Sequence, residues 1–517
     1  MGRDAMTAPS SISLLLDVGA DAAIAIGAPE GVPPLRYRDL RALARRTVDR
    51  LNGLGVGREE RVAIVLPNGP EMAAAFACIA AGATTAPLNP AYRADEFEFY
   101  LRDLRARALV VQAGVDSPAR EVARRLSVPI LELRPRPGEG AGTFTLEPLD
   151  PARAPGAAAR GGFGGGDDTA LVLHTSGTTS RPKIVPLLQR NVLATARHIV
   201  ASLALTPDDV CLNVMPLFHI HGLMAATLAS LAAGAQVCCT PGFNALRFFA
   251  WLDEVRPTWY TAVPTMHQAI LARADRNPEV LARARLRLVR SSSASLPPQV
   301  MAELERVFRA PVIEAYGMTE AAHQMACNPL PPRPRKPGSV GLAAGPEVAI
   351  MDEAGTLLPR GATGEVVIRG PNVTPGYEAN PEANARAFTG GWFRTGDQGV
   401  LDEEGYLRLT GRLKELINRG GEKVAPLEVD EVLMDHPAVQ QVVTFGVPHP
   451  KLGEEVAAAV VLREGKTATE RELRDFAAAR LADFKVPRTI VFLAEIPKGA
   501  TGKLQRIGLA ARLGLGA

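Results

Sequence analysis

The stretch Leu171–Lys183, LVLHTSGTTSRPK, joins two apolar runs through a loop of small hydroxyl residues and glycine. The apolar residues before the loop and the run IVPLL after it predict two short strands. Successive backbone N–H groups in such a loop can form a nest for an anion, and a lysine at its end adds charge. The P-loop pattern GxxxxGK(S/T) is absent. On its own, the loop therefore fits a phosphate site and a polar hairpin turn about equally well.

Helices and strands alternate over most of the chain on both sides of this loop. The spacing of apolar residues predicts a helix around residues 40–51, and the run Arg61–Leu66 predicts a buried strand. Such alternation is typical of sheets covered by helices. Residues 411–424 are dense in charge and glycine, and a short α+β pattern follows them. We therefore predict an α/β protein with a large N-terminal domain of layered, helix-covered sheets over residues 1–411 and a small α+β C-terminal domain over residues 412–517.

The composition excludes several classes of protein. The chain has 517 residues, 47% of them apolar and 22% charged, with a net charge of +3 and no dense basic block, so no nucleic-acid partner is expected. The apolar segment Met72–Leu88 is rich in alanine and interrupted by Gly82, which favours a buried helix and strand over a membrane span. Five cysteines without CxxC spacing argue against a disulfide framework or a zinc site. With no signal peptide or peroxisomal address recognised, a cytoplasmic location is expected.

Four further motifs carry residues suited to chemistry. The segment Glu314–Asn328, EAYGMTEAAHQMACN, predicts an exposed tyrosine that could stack on a ring, next to a carboxylate that could hold a hard cation. A strand end followed by a helix cap would explain the same letters. The others are Gly391–Asp397 (GWFRTGD), Gly411–Lys414 (GRLK) and Pro497–Lys503 (PKGATGK). Each motif alone also fits a structural turn or a surface lysine.

Together, in this order, the five motifs resemble those of the adenylate-forming superfamily, which contains acyl-CoA synthetases, luciferases and the adenylation domains of peptide synthetases. The resemblance runs from about residue 35 to about residue 507, nearly the whole chain. It implies that an acid and ATP form an acyl-adenylate, from which a thiol then displaces AMP. ATP, Mg²⁺ and coenzyme A are the implied cofactors. The small C-terminal domain is implied to be mobile, with a hinge at Lys414.

The resemblance also implies roles for individual residues. The loop would hold the β- and γ-phosphates, Tyr316 would stack on adenine opposite residues 291–294, and Asp397 with Arg412 would bind the ribose. The implied nucleotide contacts are Thr175, Ser176, Gly177, Thr178, Thr179, Lys183, Ser292, Ser293, Ala294, Glu314, Ala315, Tyr316, Gly317, Met318, Asp397 and Arg412. The loop departs from the family pattern because Ser180 and Ile184 replace two usual glycines.

The implied catalytic residues lie outside that loop. Lys503 would bridge the substrate carboxylate and the α-phosphate, and Thr319 would contact the α-phosphate. Glu320 would hold Mg²⁺, and Thr178 is its predicted companion ligand. In the motif GGEK, Gly420 and Gly421 are predicted to line the passage for coenzyme A.

The predicted acid site is polar. His219 holds the position that separates the acyl and CoA sides in the family, and His221 would share its face if PLFHIHG is extended. With Ser293 and His323 these residues suit a short polar acid, because an apolar chain would leave their donors unpaired at about 1–3 kcal/mol each. The segment MTEAAHQMACNPLPPRPRKPGSVG also resembles the oxalate–CoA ligase branch. We therefore expect oxalate as the substrate.

Three alternatives stay open. His323 could be a structural histidine, in which case the pocket would take another small or medium acid. The acyl group could be loaded onto a carrier protein instead of CoA. A catalytically inactive nucleotide-binding regulator is the third alternative, against which the intact Glu320, Asp397, Arg412 and Lys503 argue. The expected assembly is a monomer or homodimer.

Overall fold

The chain is described by a computed structural model, which covers residues 11–150, 156–175, 182–499 and 502–516. The described residues form four sheets with helices packed on and between them, which confirms the predicted α/β class. The α-helices are Ile12–Leu15, Tyr37–Gly53, Pro70–Ala80, Ala94–Asp103, Pro118–Arg125, Gln189–Leu203, Ala229–Ala232, Phe248–Val255, Pro264–Leu271, Pro278–Arg283, Pro298–Phe308, Pro381–Ala387, Pro426–Met434, Glu470–Ala478 and Leu509–Arg512. A π-helix covers His221–Leu228, and 3-10 turns cover Pro137–Glu139, Ala274–Arg276, Thr319–Ala321 and Asp483–Lys485.

The first sheet carries the loop with which the sequence analysis began. Its spatial order is Phe144–Pro148, Ile130–Pro135, Ala108–Gln112, Arg61–Val65, Thr84–Pro87, Thr169–Thr175 and Lys183–Leu188. The central strands are parallel, and each edge is closed by an antiparallel pair. One such pair joins Thr169–Thr175 to Lys183–Leu188, so the two strands predicted around the loop are confirmed.

The second sheet has nine strands and places most of the candidate residues. Its spatial order is Leu342–Ala343, His323–Cys327, Val312–Met318, Leu288–Ser292, Trp259–Ala262, Val210–Asn213, Gln236–Cys239, Ile24–Gly27 and Leu35–Arg36. The strands from Val312–Met318 to Ile24–Gly27 are parallel to their neighbours, and His323–Cys327 turns back antiparallel. The turn that reverses the chain contains Thr319 and Glu320.

A shared core fills the space between these two sheets. The helices Tyr37–Gly53, Pro70–Ala80 and Gln189–Leu203 contribute apolar residues to the same cluster as both sheets, which places them between the sheets. Every residue of Met72–Ala80 is buried, because alanine side chains let the surrounding elements approach closely. In the parts of the chain that the structure describes, no helix is both long and apolar enough to cross a membrane.

Two smaller sheets complete the fold. One consists of Glu347–Met351, Thr363–Arg369, Trp392–Leu401 and Phe388–Thr389, with Leu407–Arg412 paired to Trp392–Leu401. The other, near the C-terminus, consists of Glu422–Val424, Ile417–Arg419, Gly453–Leu462 and Val439–His449, with Thr489–Phe492 paired to Gly453–Leu462. The C-terminal sheet has a hydrophobic core of its own, as the predicted α+β unit requires.

The C-terminal unit rests on the nine-stranded sheet through polar contacts. The Thr265 hydroxyl donates to the Gly502 carbonyl at 2.6 Å, and the Gln268 side chain donates to the Gln440 carbonyl at 3.1 Å. Thr265 and Gln268 belong to the helix Pro264–Leu271, which follows a strand of the large sheet. This docking carries Lys503 to the edge of that sheet. The domain boundary after residue 411 stays a prediction.

Candidate active site

The candidate site lies at the carboxyl ends of three neighbouring parallel strands, the edge at which open α/β sheets bind ligands. These strands are Trp259–Ala262, Leu288–Ser292 and Val312–Met318. The segments that leave them carry Ser293 and Thr319, and the docked C-terminal unit adds Lys503. Residues that are far apart in sequence are therefore brought to one edge by the topology.

Tyr316, Asp397 and Arg412 form a connected group. The Tyr316 hydroxyl donates to Oδ2 of Asp397 at 2.5 Å, and Nε of Arg412 lies 3.2 Å from Oδ1 of the same carboxylate. Asp397 and Arg412 are cross-strand partners, which fixes their spacing. Burial raises the pKa of Asp397, whereas the Arg412 charge opposes that rise.

Tyr316 corrects one expectation. It is 8% exposed, so the prediction of an exposed ring is wrong. It belongs to the hydrophobic cluster that also contains Ile350, Val366 and Phe393 from the sheet of Trp392–Leu401. Stacking of this ring on adenine stays a prediction.

Lys503 is held at the edge of the group. The preceding Gly502 carbonyl accepts the Thr265 hydroxyl, and the Lys503 carbonyl accepts the backbone N–H of Gly499 at 2.8 Å. Burial, together with the nearby Arg412 charge, lowers the pKa of Lys503 to about 8, and Asp397 opposes this shift. With a pKa of about 8 the group is mostly protonated at neutral pH, so its ammonium can meet an anion.

Glu320 lies in a second polar cluster with two residues from distant segments. The Tyr377 hydroxyl donates to Oε1 of Glu320 at 2.9 Å, and Nζ of Lys183 lies 4.3 Å from the centre of the Tyr377 ring. Burial raises the pKa of Glu320, whereas the Tyr377 hydrogen bond and the Lys183 charge oppose that rise. Among the residues that the structure describes, no group of three or more His, Cys, Asp or Glu side chains is arranged to hold a metal.

His221 begins a π-helix, and His219 lies in the turn that precedes it. The segment is therefore not extended, which was the condition under which His219 and His221 would share one face. All residues of the helix His221–Leu228 are buried. Gly222 lets the start of the helix approach the Pro216 carbonyl, because a Cβ at this position would lie 2.4 Å from the carbonyl oxygen. The backbone N–H of His221 donates to Nδ1 of His219 at 3.3 Å, so the two residues stay adjacent.

His221 is held at both ring nitrogens. Its Nδ1 lies 3.0 Å from the Ser293 hydroxyl, and its Nε2 lies 2.6 Å from the Thr261 hydroxyl. Ser293 adopts a left-handed backbone conformation with φ of +77°, which costs a serine roughly 1–3 kcal/mol. Because this strain persists at a position that glycine would fill without cost, it points to a function for the hydroxyl.

His323 is the least satisfied side chain of the group. It is 1% exposed, and both ring nitrogens lack a hydrogen-bond partner. Its ring lies 5.0 Å from that of His221, and its own φ is +119°. Gly317 makes this conformation possible, since a Cβ there would lie 1.7 Å from the His323 carbonyl oxygen. Two unpartnered buried nitrogens are an arrangement that a bound ligand would complete.

The imidazoles of this site are neutral. Burial and the Lys503 charge lower the pKa of His219 to about 3. Burial also lowers the pKa values of His221 and His323 well below the usual range, with neighbouring positive charges adding to the effect. These side chains can therefore donate hydrogen bonds to an acid without contributing charge.

The other predicted residues are placed as follows. Ser292 donates to the Ala315 carbonyl at 2.9 Å, Ala294 is exposed, and Oε1 of Glu314 accepts the backbone N–H of Leu296 at 2.9 Å. Burial raises the pKa of Glu314 to about 8. Met318 ends the strand Val312–Met318, and Thr319 begins the turn that follows; both residues are half-buried.

Some predicted residues lie away from the acid site or outside the structure. Gly420 and Gly421 form the exposed turn between Ile417–Arg419 and Glu422–Val424, with φ of +62° and +98°. The exposed Lys414 follows the last strand of the sheet that holds Asp397. The loop residues outside the described ranges are Ser176, Gly177, Thr178, Thr179, Ser180 and Arg181.

Three residues of the site were not predicted. Thr261 and Tyr377 carry no signal in the sequence that separates them from other buried hydroxyls. Arg290 does carry one, since it interrupts the apolar strand Leu288–Ser292 in the run LRLVRSSS. A charged residue in a strand that is buried on both faces is rare and is normally paired.

Comparison with known proteins agrees with this geometry. The model of the AMP-binding enzyme family matches residues 22–378, and the model of the AMP-binding enzyme C-terminal domain matches residues 428–503. The oxalate–CoA ligase of Arabidopsis thaliana is 47% identical over 477 residues, covering 91% of this chain and 92% of that protein. The oxalate–CoA ligase of Saccharomyces cerevisiae is 40% identical over 525 residues, covering 93% of each. ATP-bound MatB of Rhodopseudomonas palustris superposes with a TM-score of 0.87 at 30% identity, covering 98% of this chain and 99% of that one.

Proposed function

Because the chain belongs to the family of AMP-binding enzymes, we propose that it is an ATP-dependent ligase that joins oxalate to coenzyme A. In the first half-reaction a carboxylate oxygen attacks the α-phosphorus of ATP, which forms the acyl-adenylate and releases pyrophosphate. In the second, the thiol of CoA attacks the acyl carbon, which forms the thioester and releases AMP. The observation that carries the proposal is the convergence of Tyr316, Asp397, Arg412 and Lys503 next to a buried polar pocket.

The barrier to the first half-reaction is mainly electrostatic, because an anion must approach a polyanion. We assign Lys503 the place between the reacting carboxylate and the α-phosphate, where its charge would offset both. Asp397 offers acceptors for the two ribose hydroxyls, and Arg412 orients that carboxylate while its charge opposes the rise in pKa that burial causes. The loop ending at Lys183 would hold the departing pyrophosphate.

The residues present fit a magnesium ion that is held mostly by the nucleotide. Glu320 supplies the carboxylate oxygen that Mg²⁺ prefers, and Thr178 is its proposed companion, while phosphates and water would complete the shell. When bound, the ion would offset phosphate charge. The hydrogen bond from Tyr377 orients the Glu320 carboxylate.

Oxalate is favoured by the chemistry of the acid pocket. His219, His221, Ser293 and His323 present polar atoms, and both ring nitrogens of His323 are buried without partners. The N–H of the neutral His323 ring can donate to a carboxylate oxygen of a short dicarboxylate, whereas the chain of an aliphatic acid offers it no acceptor. Each buried donor that is left unpaired costs about 1–3 kcal/mol, so the pocket discriminates strongly against aliphatic acids.

Substrate preference is the direct test. Pyrophosphate release and thioester formation are measured with oxalate, malonate, acetate, octanoate and a cinnamate-type acid at matched concentrations. We expect kcat/KM for oxalate to exceed that for acetate and octanoate by at least about 10²-fold, because two or more unpaired donors separate them. A preference for octanoate would contradict the polar-pocket argument. Acyl-adenylate that accumulates without thioester when CoA is present would indicate a carrier protein as the acceptor.

The pH dependence of the first half-reaction provides a second test. Because burial lowers the pKa of Lys503 to about 8, the free enzyme loses the required ammonium as the pH rises through that value. We therefore expect kcat/KM for pyrophosphate release to fall above about pH 8, since kcat/KM reports the ionisations of the free enzyme. In the variant Lys503→Arg the falling limb should disappear, because a guanidinium stays charged. An unchanged limb in that variant would assign the ionisation to another group.

The second half-reaction requires another arrangement of the C-terminal unit. We propose that residues 412–517 rotate about Lys414, which withdraws Lys503 and brings Gly420 and Gly421 to the path of CoA. The contacts that would break include the hydrogen bonds from Thr265 and Gln268 and the ion pair between Arg408 and Glu431, all of which are polar. Interfaces of this kind are compatible with relative domain motion.

A further inference from the structure

Arg290 is a buried charge without a counter-charge. It is 0% exposed within the strand Leu288–Ser292, and none of the ion pairs among the described residues includes it. The side chains that it contacts are uncharged. Its Nη1 lies 3.4 Å from Nε2 of His221 and 3.4 Å from the Thr261 hydroxyl, and its Nη2 lies 3.3 Å from the amide oxygen of Gln324.

These contacts leave the guanidinium poorly satisfied. All of them are long, and Nε of Arg290 has no partner at all. An isolated charge is expensive to bury, and proteins normally compensate it with a carboxylate or another anion. Burial lowers the pKa of Arg290 only to about 10, so the group stays charged at neutral pH. The protein keeps this charge next to the acid site at a cost in stability.

The guanidinium also lies beside the Nε2 edge of His221. Because Nη1 of Arg290 can only donate, its positive charge favours the tautomer of His221 with the ring proton on Nδ1, in which the Thr261 hydroxyl donates to Nε2 at 2.6 Å. In that tautomer Nδ1 donates to the Ser293 hydroxyl at 3.0 Å. Ser293 is then free to donate its own hydrogen into the acid site. A line of hydrogen bonds therefore runs from Arg290 to the surface on which a carboxylate would lie.

We propose that Arg290 determines specificity for a dicarboxylate by compensating the charge of the carboxylate that does not react. The inference rests on the proposed oxalate activity. Lys503 faces the carboxylate that attacks ATP, and the nearby histidines are neutral, so the second negative charge needs another positive partner. Arg290 supplies it from behind His221, without touching the substrate. It is a positioning residue whose field and hydrogen bonds act through His221 and Ser293.

A comparison of oxalate with oxamate distinguishes the effect of the second negative charge from the effect of molecular shape. Oxamate has the size of oxalate but carries an uncharged amide in place of one carboxylate. In Arg290→Gln we expect kcat/KM for oxalate to fall by about 10²-fold, in line with an unpaired buried charge. The competitive inhibition constant of oxamate should change less than about threefold. In Arg290→Lys the oxalate value should lie between that of the wild type and that of Arg290→Gln, because the charge is retained.

The controls distinguish this inference from loss of fold and from failure of the proposed function. Arg306→Gln removes an exposed arginine from the helix that follows Ser293, and it should leave both constants unchanged. Arg290→Met should keep or raise Tm, because it removes a buried charge that has no counter-charge. If Arg290→Gln does not fold, Arg290→Met replaces it in the comparison of oxalate with oxamate. Equal weakening of oxalate and oxamate, or no recovery with lysine, would overturn the role of Arg290. A wild-type enzyme that does not prefer oxalate would instead overturn the proposed function.

Discussion

Replacing Lys503 by alanine is expected to slow oxalate-dependent pyrophosphate release by about 10²–10³-fold, because one preorganised positive charge at the reacting centre is removed. Thioester formation from acyl-adenylate that is supplied ready-made should be nearly unaffected, since the lysine acts only in the first half-reaction. Single-turnover assays of the two steps measure both effects. The backbone contact between Gly502 and Thr265 does not involve the lysine side chain, so docking of the C-terminal unit should persist.

Lys498→Ala is the matched control for this experiment. Lys498 lies five positions earlier in the same segment, is exposed, and pairs with Glu495 at 2.7 Å. Because exposed ion pairs contribute little, its loss should leave both half-reactions unchanged. Pyrophosphate release that survives in Lys503→Ala would show that another group performs the proposed role.

Replacing His323 by leucine is expected to change activity and stability in opposite directions. The kcat/KM for oxalate should fall by about 10²-fold, because the hydrogen bond from the neutral ring to the charged carboxylate of the substrate is lost. The free energy of unfolding should stay constant or rise by about 1 kcal/mol, because the substitution removes two buried nitrogens without partners and with them the free-energy cost of their desolvation. Denaturant titration gives the stability, and initial rates give kcat/KM.

The alternative role for His323 predicts a different pair of results. A structural histidine would lose stability on replacement, and the activity with every acid would fall together. The control His436→Leu removes a histidine that packs on Phe476 in the C-terminal unit, and it should leave oxalate turnover unchanged. Loss of stability in His323→Leu with unchanged selectivity would contradict its assignment to the acid site.

The sequence predicted the family and most strands because these depend on local patterns. The alternation around the Ser/Thr loop is enough to place the hairpin of Thr169–Thr175 and Lys183–Leu188. The burial of Tyr316 could not be predicted in the same way. It depends on Asp397, 81 positions away, and on a sheet whose position is set by tertiary packing.

The acid site also contains some features that the sequence predicts and others that depend on tertiary packing. His219, His221, Ser293 and His323 were identified from their chemistry and from the order of the motifs. The isolation of Arg290 was not, because the absence of a carboxylate around a side chain is a property of the packed protein. The π-helix at His221 was also missed, since seven residues that include two histidines carry no period that separates a helix start from an extended segment.

The neutral imidazoles of the acid pocket have a consequence for how the enzyme responds to its surroundings. With the pKa of His219 lowered to about 3 and those of His221 and His323 also well below the usual range, mild acidification leaves these rings neutral. Histidine is otherwise the side chain through which proteins sense such changes. Because these three rings do not gain charge, the electrostatic character of the acid pocket stays the same when the medium turns mildly acidic.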